Sequence, residues 1–196
     1  MDNLKNRELS ELITLISRAD TADDAFAELV ARYMPLLKSR VLRYVQQSVD
    51  VSEAMQEAQI ALHSAAVTYD PDRCNGVTFG LYADICIANK LRSMLRQRAR
   101  VSEKESLVDT ERVTSGVDVE SFIATRAMCE RVMSIARTQL SEYEFEVFRL
   151  TFERYTTRDI AARLGRSAKS VDNAKHRISK NLRENKEICE ILLDIK

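Results

Sequence analysis

Polar side chains recur at helical spacing in the segment from Arg158 to Leu182. Aliphatic residues at the 3.6-residue repeat predict one buried helix face there, formed by Val171, Ala174, Ile178 and Leu182. The remaining face then carries cations, an amide, an imidazole and a hydroxyl, at Lys169, Ser170, Asn173, His176, Arg177 and Lys180. Cations pair with phosphate groups, while amides and hydroxyls pair with base edges, so this face has the chemistry to read duplex DNA in the major groove.

A short helix, a glycine and a second helix are needed to position that face. Thr157 can cap the first helix, which should bury Ile160, Ala161 and Leu164. Gly165 can end it, because glycine adopts a positive φ without strain. Ser167 can cap the second helix. The pattern predicts a helix-turn-helix; an ordinary helical hairpin with a solvated basic face is the alternative.

The charges are balanced overall but unevenly distributed. The chain has 196 residues, with 30 Lys+Arg and 30 Asp+Glu. Six cations and one acid lie between Asn89 and Lys104, and ten cations and three acids lie between Arg154 and Lys186. Two basic segments in an otherwise acidic chain indicate two contacts with one polyanion, and leave the acidic remainder for another partner.

The residues that could bind a metal are scattered. Four cysteines share no CxxC spacing, and the chain has two histidines; the cysteines are Cys74, Cys86, Cys129 and Cys189. These spacings fit neither a disulfide framework nor a zinc site, so we expect reduced thiols. Asp70 and Asp72 are explained by a turn. We expect no metal and no cofactor.

Helical periodicity runs through most of the chain, which contains four Gly and two Pro. Pro35 should kink or restart one long helix. The helix from Thr78 should place Phe79 and Tyr82 on its apolar face. Further helices are predicted at Asn6–Arg18, Val51–Tyr69 and Ser121–Thr138. The sequence shows neither a membrane-spanning stretch nor a signal peptide, so we expect a cytoplasmic protein without membrane contact.

Residues 101–120 lose this periodicity. They are polar and include Gly116, which is typical of a linker. A capping box at Ser141–Glu144 follows further along. The sequence therefore predicts an all-α fold of two small helical domains, residues 1–100 and 121–196, joined by a flexible linker.

Two blocks of the chain resemble one protein family. "LSEYEFEVFRLTFERYTTRDIAARLGRSAKSVDNAKHRISKNLRE", at Leu140–Glu184, resembles the promoter-binding C-terminal domain of bacterial RNA polymerase sigma factors. "DDAFAELVARYMPLLKSRVLRYV", "EAMQEAQIALHSAAVTYDPDR" and "VTFGLYADICIANKLRSMLRQ" resemble, in order, the first conserved sigma region, the polymerase-clamp-binding helix and the promoter-melting helix. The likeness is to the alternative, sporulation-sigma-H-like or extracytoplasmic-function-like group, as a divergent member.

The resemblance implies an alternative sigma factor, which binds RNA polymerase core and directs promoter recognition while the polymerase does the chemistry. It implies docking on the polymerase clamp helices through Glu53, Gln56, Glu57 and Ile60. It also implies that the minus-ten element is melted and held by Phe79, Tyr82, Asn89, Lys90, Arg92 and Arg96. The helix-turn-helix would read the minus-thirty-five duplex. An anti-sigma factor is a further candidate partner.

Two departures from the family pattern leave an alternative open. The sequence has "SEAMQEAQ" where the family often has "D-L-x-Q-E-G", and Ile87-Ala88-Asn89 replaces "I-R-N" in the melting helix. The missing arginine favours a sigma-like DNA-binding activator that recruits polymerase without melting DNA, whereas the intact order of the two blocks opposes it. A nucleic-acid enzyme is a third class, with Asp70 and Asp72 as its metal-binding candidates.

Overall fold

The computed structural model of the chain describes Leu4 and residues 8–16, 22–44, 50–72, 76–104 and 119–193. Nine α-helices lie in these ranges, followed by a π-helix at Cys189–Leu193: α1 Leu9–Ile16, α2 Ala22–Tyr44, α3 Val51–Thr68, α4 Phe79–Lys104, α5 Val119–Gln139, α6 Glu142–Phe152, α7 Thr157–Arg163, α8 Ala168–Arg183 and α9 Lys186–Ile188. No β-strand occurs among the described residues. The predicted all-α fold is confirmed.

Contacts between Cα atoms divide the chain into two compact units. The first comprises Met1–Thr68 and Cys86–Phe122, and the second comprises Tyr69–Ile85 and Ile123–Lys196. The first turns of α4 therefore belong to the second unit. The domain boundaries expected from the sequence, 1–100 and 121–196, stay a prediction.

Small residues bring the helices of the first unit close together. The buried side of α3 is mostly alanine, at positions Ala54, Ala58, Ala61, Ala65 and Ala66. Alanine has only a methyl side chain, so α3 can lie close to α1 and α2, which it contacts. The larger side chains of the core come chiefly from the other two helices, with Leu12, Leu29 and Leu37 fully buried. This packing sets the position of the exposed side of α3.

Pro35 does not restart α2. The helix continues through it from Ala22 to Tyr44. Proline lacks the N–H that would bond to the carbonyl of Ala31, four residues earlier. Both Pro35 and Ala31 are exposed, so water can satisfy that carbonyl.

The loop between α3 and α4 is explained by local hydrogen bonding. The Asp70 carboxylate accepts a bond from the backbone N–H of Asp72 at 3.0 Å, which is a typical Asx turn. Gly76 has a φ of +79°, in the left-handed region that glycine adopts without strain. Cys74 lies outside the described residues. The structure thus gives Asp70 and Asp72 a role in a turn.

The start of α4 is buried on all sides, since every residue from Val77 to Ile85 is buried. Beyond Cys86 the helix becomes amphipathic, with Leu91 buried and Arg96 exposed. The helix also extends to Lys104, and α5 begins at Val119, so both helices enter the predicted linker. Residues 105–118 of that linker lie outside the described residues.

Local caps define the helices of the predicted helix-turn-helix. Thr156, not Thr157, caps α7, because its hydroxyl and the Asp159 carboxylate form a reciprocal capping box. Gly165 has a φ of +60°, as its predicted role requires. Ser167 caps α8 as predicted. The predicted buried face of α8 is also confirmed, with Val171, Ala174, Ile178 and Leu182 buried.

Among the described residues, no helix combines the length and the apolar composition that crossing a membrane requires.

Candidate nucleic-acid and polymerase interfaces

The exposed face of α8 carries four of its six predicted DNA-binding residues. Lys169, Asn173, His176 and Lys180 are all exposed. They lie opposite the buried face of the helix, so they can meet a ligand together without moving the core. Their side chains offer two cations, an amide and an imidazole, which suits contact with phosphate groups and base edges.

The other two predicted residues, Ser170 and Arg177, lie at the flank of α8 and contact α6. The Ser170 Oγ lies 3.2 Å from the Tyr143 hydroxyl. The Arg177 Nε donates a hydrogen bond to Glu144 Oε1 at 2.6 Å. These contacts hold α8 against α6 over about two helical turns.

Glu144 has two structural roles at once. Its Oε2 accepts hydrogen bonds from the Ser141 backbone N–H at 3.2 Å and from the Ser141 hydroxyl at 2.9 Å, which closes the predicted capping box. Its Oε1 accepts the bond from Arg177. The Arg177 bond holds the pKa of the Glu144 carboxyl below its ordinary value; burial opposes this shift, and the Ser141 bonds add to it. The charged carboxylate therefore stabilises the folded protein.

This shift predicts a pH-dependent stability. Because the folded-state pKa lies below the unfolded value of about 4.3, the stabilisation is complete above that value and is lost as the pH falls through the folded-state pKa. Glu144→Gln should lower the free energy of unfolding by about 1–2 kcal/mol at pH 7, and the difference from wild type should narrow below about pH 4. Urea unfolding of the full chain between pH 7 and pH 3 measures both.

The matched control for this prediction is Glu142→Gln, an exposed carboxylate in the same helical turn. It should change the unfolding free energy by less than about 0.5 kcal/mol at neutral pH. A difference between wild type and Glu144→Gln that stays constant down to pH 3 would show that the carboxylate charge does not stabilise the fold.

Further polar contacts position α7 against α8. Lys175 Nζ donates to the Thr157 hydroxyl at 2.9 Å, and that hydroxyl donates to Asp172 Oδ1 at 3.2 Å. The Arg163 guanidinium lies 4.0 Å from the centre of the Tyr155 ring, a cation–π contact. Thr157 was predicted only as a helix cap, and no role was predicted for Lys175, Asp172, Arg163 or Tyr155. For Arg163, the one signal available in the sequence was the presence of a cation just before the turn at Gly165.

Ion pairs join the predicted polymerase-binding acids of α3 to the predicted DNA-binding helix α4. Lys90 Nζ lies 3.0 Å from Glu57 Oε2, and Arg98 pairs with Glu53. The structure thus brings together two sets of residues that were expected to meet different partners. A partner that binds Glu53 or Glu57 must compete with α4 cations.

Two other predicted residues of α3 stay accessible. Gln56 and Ile60 are exposed, and Ile60 exposes 54% of its surface. When a partner covers an aliphatic side chain that is this exposed, the burial of its apolar surface favours binding. Ile60 is therefore the clearest probe of binding to this face.

The predicted aromatic residues of the melting helix are inaccessible. Phe79 and Tyr82 are 3% and 1% exposed. The ring centre of Tyr69 lies 5.4 Å from that of Phe79 and 5.7 Å from that of Tyr82. Neither ring presents a free face to a base in this structure, because each is packed in an apolar core. A base-gripping role would require them to leave that core.

The polar members of the same predicted set differ in accessibility. Asn89 Oδ1 accepts a bond from Arg92 Nη1 at 3.1 Å, and Arg92 Nε donates to the Tyr44 hydroxyl at 3.2 Å. Arg92 is therefore tied to α2. Arg96 is exposed and is the member best placed to meet a phosphate.

Comparison with known proteins gives two family matches in one chain. The family described as "Sigma-70 region 2" matches residues 29–101, and "Sigma-70, region 4" matches residues 138–182. The first match contains α3 and the buried start of α4, and the second contains α6, α7 and most of α8. Both candidate interfaces thus lie within matched regions.

Similar proteins are found along most of the chain. The RNA polymerase sigma-H factor of Bacillus licheniformis is 24% identical over 204 residues, covering 95% of this chain and 90% of that protein. The RNA polymerase sigma-H factor of Bacillus subtilis (strain 168) is 22% identical over 188 residues, covering 87% and 85%. A solved structure, "Structure of CnrH in complex with the cytosolic domain of CnrY", aligns with 21% identity over 94% of this chain and 96% of that one, at a TM-score of 0.35. That score is too low to establish a shared fold over the whole chain.

Region 2 precedes region 4 in this chain, and together the two matched regions span more than half of it. The chain is therefore a divergent member of the sigma-70 family of RNA polymerase sigma factors.

Proposed function

We propose that this chain is an alternative sigma factor that binds RNA polymerase core in the cytoplasm and directs it to a class of promoters. The observation that carries the proposal is the presence of both sigma regions in one chain, with region 2 before region 4. In this role the polymerase makes the phosphodiester bonds, and the chain acts as a binding protein rather than as an enzyme. Residues 1–100 and 121–196 would be its two working domains, joined through 101–120.

The exposed face of α8 supports contact with the upstream promoter element. Lys169, Asn173, His176 and Lys180 are exposed on one side of a helix that follows a tight turn. A helix placed in this way fits the major groove, where its amide can pair with an adenine edge and its cations with phosphates.

The exposed side of α3 supports docking on the polymerase. Gln56 and Ile60 are directly accessible, whereas Glu53 and Glu57 would exchange their α4 partners for groups of the polymerase. That exchange would also release Lys90 and Arg98 from their pairs, which would leave them able to contact the minus-ten DNA.

Binding to polymerase core tests the docking surface. Ile60→Ala should weaken core binding at least fivefold, about 1 kcal/mol, because it removes an exposed apolar contact without breaking an ion pair. Leu42→Ala is the control, since Leu42 on α2 is 70% exposed but lies outside the predicted surface. Equal core affinities for the two variants would exclude α3 as the docking helix.

A second candidate function is a sigma-like activator that recruits polymerase but does not open DNA. The burial of Phe79 and Tyr82 favours it, because no aromatic ring of the predicted melting set is accessible to an unpaired base. Mapping transcript starts on a genomic library, with core and this chain alone, separates the two. Starts on duplex templates support a sigma factor, whereas starts confined to pre-melted templates support the activator.

The same proposal accommodates a regulatory partner. An anti-sigma factor is a candidate that family membership suggests, and it would compete with polymerase core for the exposed side of α3.

A further inference from the structure

The hydrogen bond between Glu144 and Arg177 uses a single N–H of the guanidinium. Glu144 Oε1 accepts from Arg177 Nε at 2.6 Å. Glu144 Oε2 is engaged by the backbone N–H and the hydroxyl of Ser141. The pair is therefore not the two-bond arrangement in which a carboxylate covers a whole edge of the guanidinium.

The other N–H groups of Arg177 remain available. A guanidinium has five N–H donors, four of them on the two terminal nitrogens. Those of Arg177 make no hydrogen bond to another described residue. The Arg177 side chain is 56% exposed, while that of Glu144 is 10% exposed. The Glu144 carboxylate is thus largely buried, whereas more than half of the Arg177 side chain is exposed to solvent.

Two contacts with the first turn of α6 fix the rotation of α8. The Tyr143 hydroxyl lies 3.2 Å from Ser170 Oγ, and Glu144 holds Arg177 about two turns further along. Rotation of α8 about its axis would break both contacts. The flank of α8 that carries Arg177 is therefore held in a fixed orientation relative to α6.

The position of Arg177 suits a DNA phosphate better than a base edge. It lies four residues after Asn173 and three before Lys180, at the side of the exposed face rather than at its centre. When a helix enters the major groove, the centre of its exposed face meets the bases and its flanks meet the two backbones. The planar fork of an arginine matches the geometry of phosphate oxygens.

We propose that Arg177 binds a backbone phosphate of the upstream promoter element, and that Glu144 is the positioning residue that holds its guanidinium in place. The inference rests on the proposed function, because it takes α8 to be the DNA-binding helix. In this role Arg177 anchors α8 on DNA of any sequence instead of reading bases. Glu144, which would not touch DNA, also has a part in DNA binding.

The opposite effect of Glu144 is also physically reasonable. A carboxylate beside an arginine offsets its charge and can weaken its attraction for phosphate. Glu144, however, also caps α6 through Ser141, so it cannot leave when DNA arrives, and its hold restricts an otherwise flexible side chain. If Glu144 acts by orienting Arg177, Glu144→Gln should weaken DNA binding. If it acts by offsetting the charge of Arg177, Glu144→Gln should strengthen DNA binding.

The experiment measures promoter binding by the full chain reconstituted with RNA polymerase core, across a range of salt concentrations. One duplex carries a selected upstream element, and the second has that element scrambled. Arg177→Ala should weaken binding to both duplexes about 5- to 30-fold and lower the slope of log affinity against log salt by about 0.9, the value for one lost phosphate contact. Glu144→Gln should weaken both about 3- to 10-fold.

Two further variants complete the design. Arg177→Lys should restore less than half of the lost affinity, on a logarithmic scale, because lysine lacks the Nε–H that Glu144 holds. In the double variant of Glu144→Gln with Arg177→Ala, binding should be no weaker than in Arg177→Ala alone, since Glu144 acts through Arg177. The same non-additivity would not arise if Glu144→Gln only destabilised the fold.

Three results would overturn the inference. Arg177→Ala could weaken only the selected duplex with an unchanged salt slope, which would make Arg177 a base-reading residue. Glu144→Gln could strengthen binding, which would make Glu144 a mask. Arg177→Ala could leave both affinities unchanged while Asn173→Ala weakens the selected duplex, which would leave the proposed function intact. If Asn173→Ala also had no effect, the proposed function of α8 would fail together with the inference.

Discussion

Replacing Tyr82 with alanine should lower the free energy of unfolding by about 3–5 kcal/mol. Tyr82 is 1% exposed and lies beside the Tyr69 ring, so truncation removes a large buried side chain and leaves a cavity. The loss should appear as a lower urea midpoint for the transition that includes α4, followed by circular dichroism. Tyr82→Phe, which keeps the ring, should lose much less stability.

Arg96→Ala is the control on the same helix. Arg96 is exposed, so its loss should change stability by less than about 0.5 kcal/mol. It should instead weaken promoter opening and flatten its salt dependence, because fewer counterions are released. A Tyr82→Ala variant that is as stable as wild type, fails on duplex templates and works on pre-melted ones would show that the ring leaves the core to hold a base.

Asn173→Ala should cost about 1–3 kcal/mol in binding to the upstream promoter element, a loss of roughly 5- to 150-fold. Asn173 is exposed on α8 and can form two hydrogen bonds to an adenine edge. The variant should also lose its preference at a single base pair. The measurement is affinity for a set of duplexes that differ one base pair at a time, at fixed salt.

Val171→Ala is the matched control, two residues earlier on the opposite face. Val171 is fully buried, so its truncation should lower the free energy of unfolding by about 1–3 kcal/mol, while folded molecules keep their base preference. Asn173→Ala should melt like wild type. Unchanged affinity and unchanged base preference in the Asn173 variant would mean that this face of α8 is only solvated.

The sequence alone was sufficient for the features that depend on neighbouring residues. The apolar repeat identified the buried residues of α8, including Val171 and Ile178. The left-handed Gly165 and the Ser141–Glu144 capping box were also predicted correctly. Each of these features is decided within one or two helical turns, so a short stretch of sequence contains the necessary information.

The ends of the helices are less well determined by the local sequence. Thr156 caps α7 in place of the neighbouring Thr157. Both residues have the required hydroxyl, but it is Thr156 that forms the reciprocal hydrogen bonds with Asp159. Ile123, an aliphatic residue in the second turn of α5, is 61% exposed. Near the end of a helix few neighbours remain to cover a side chain, so the apolar repeat no longer ensures burial.

Phe79 and Tyr82 show how two inferences from the sequence can disagree. The apolar repeat placed both on a buried face, whereas the family resemblance implied that they grip unpaired bases. The structure buries both. The repeat describes the packed state of the chain, whereas a base-gripping role concerns a complex with DNA, in which the same residues can be arranged differently.

Only the tertiary structure decided which charged residues meet. Glu57 pairs with Lys90, Glu53 with Arg98, and Glu144 with Arg177, and each pair joins residues more than thirty positions apart. The sequence identified most of these side chains as candidate contacts or caps, but it did not indicate which helix each would face. That choice follows from how the buried surfaces of the helices pack, because packing fixes the distance and rotation between helices and thereby brings particular charges together.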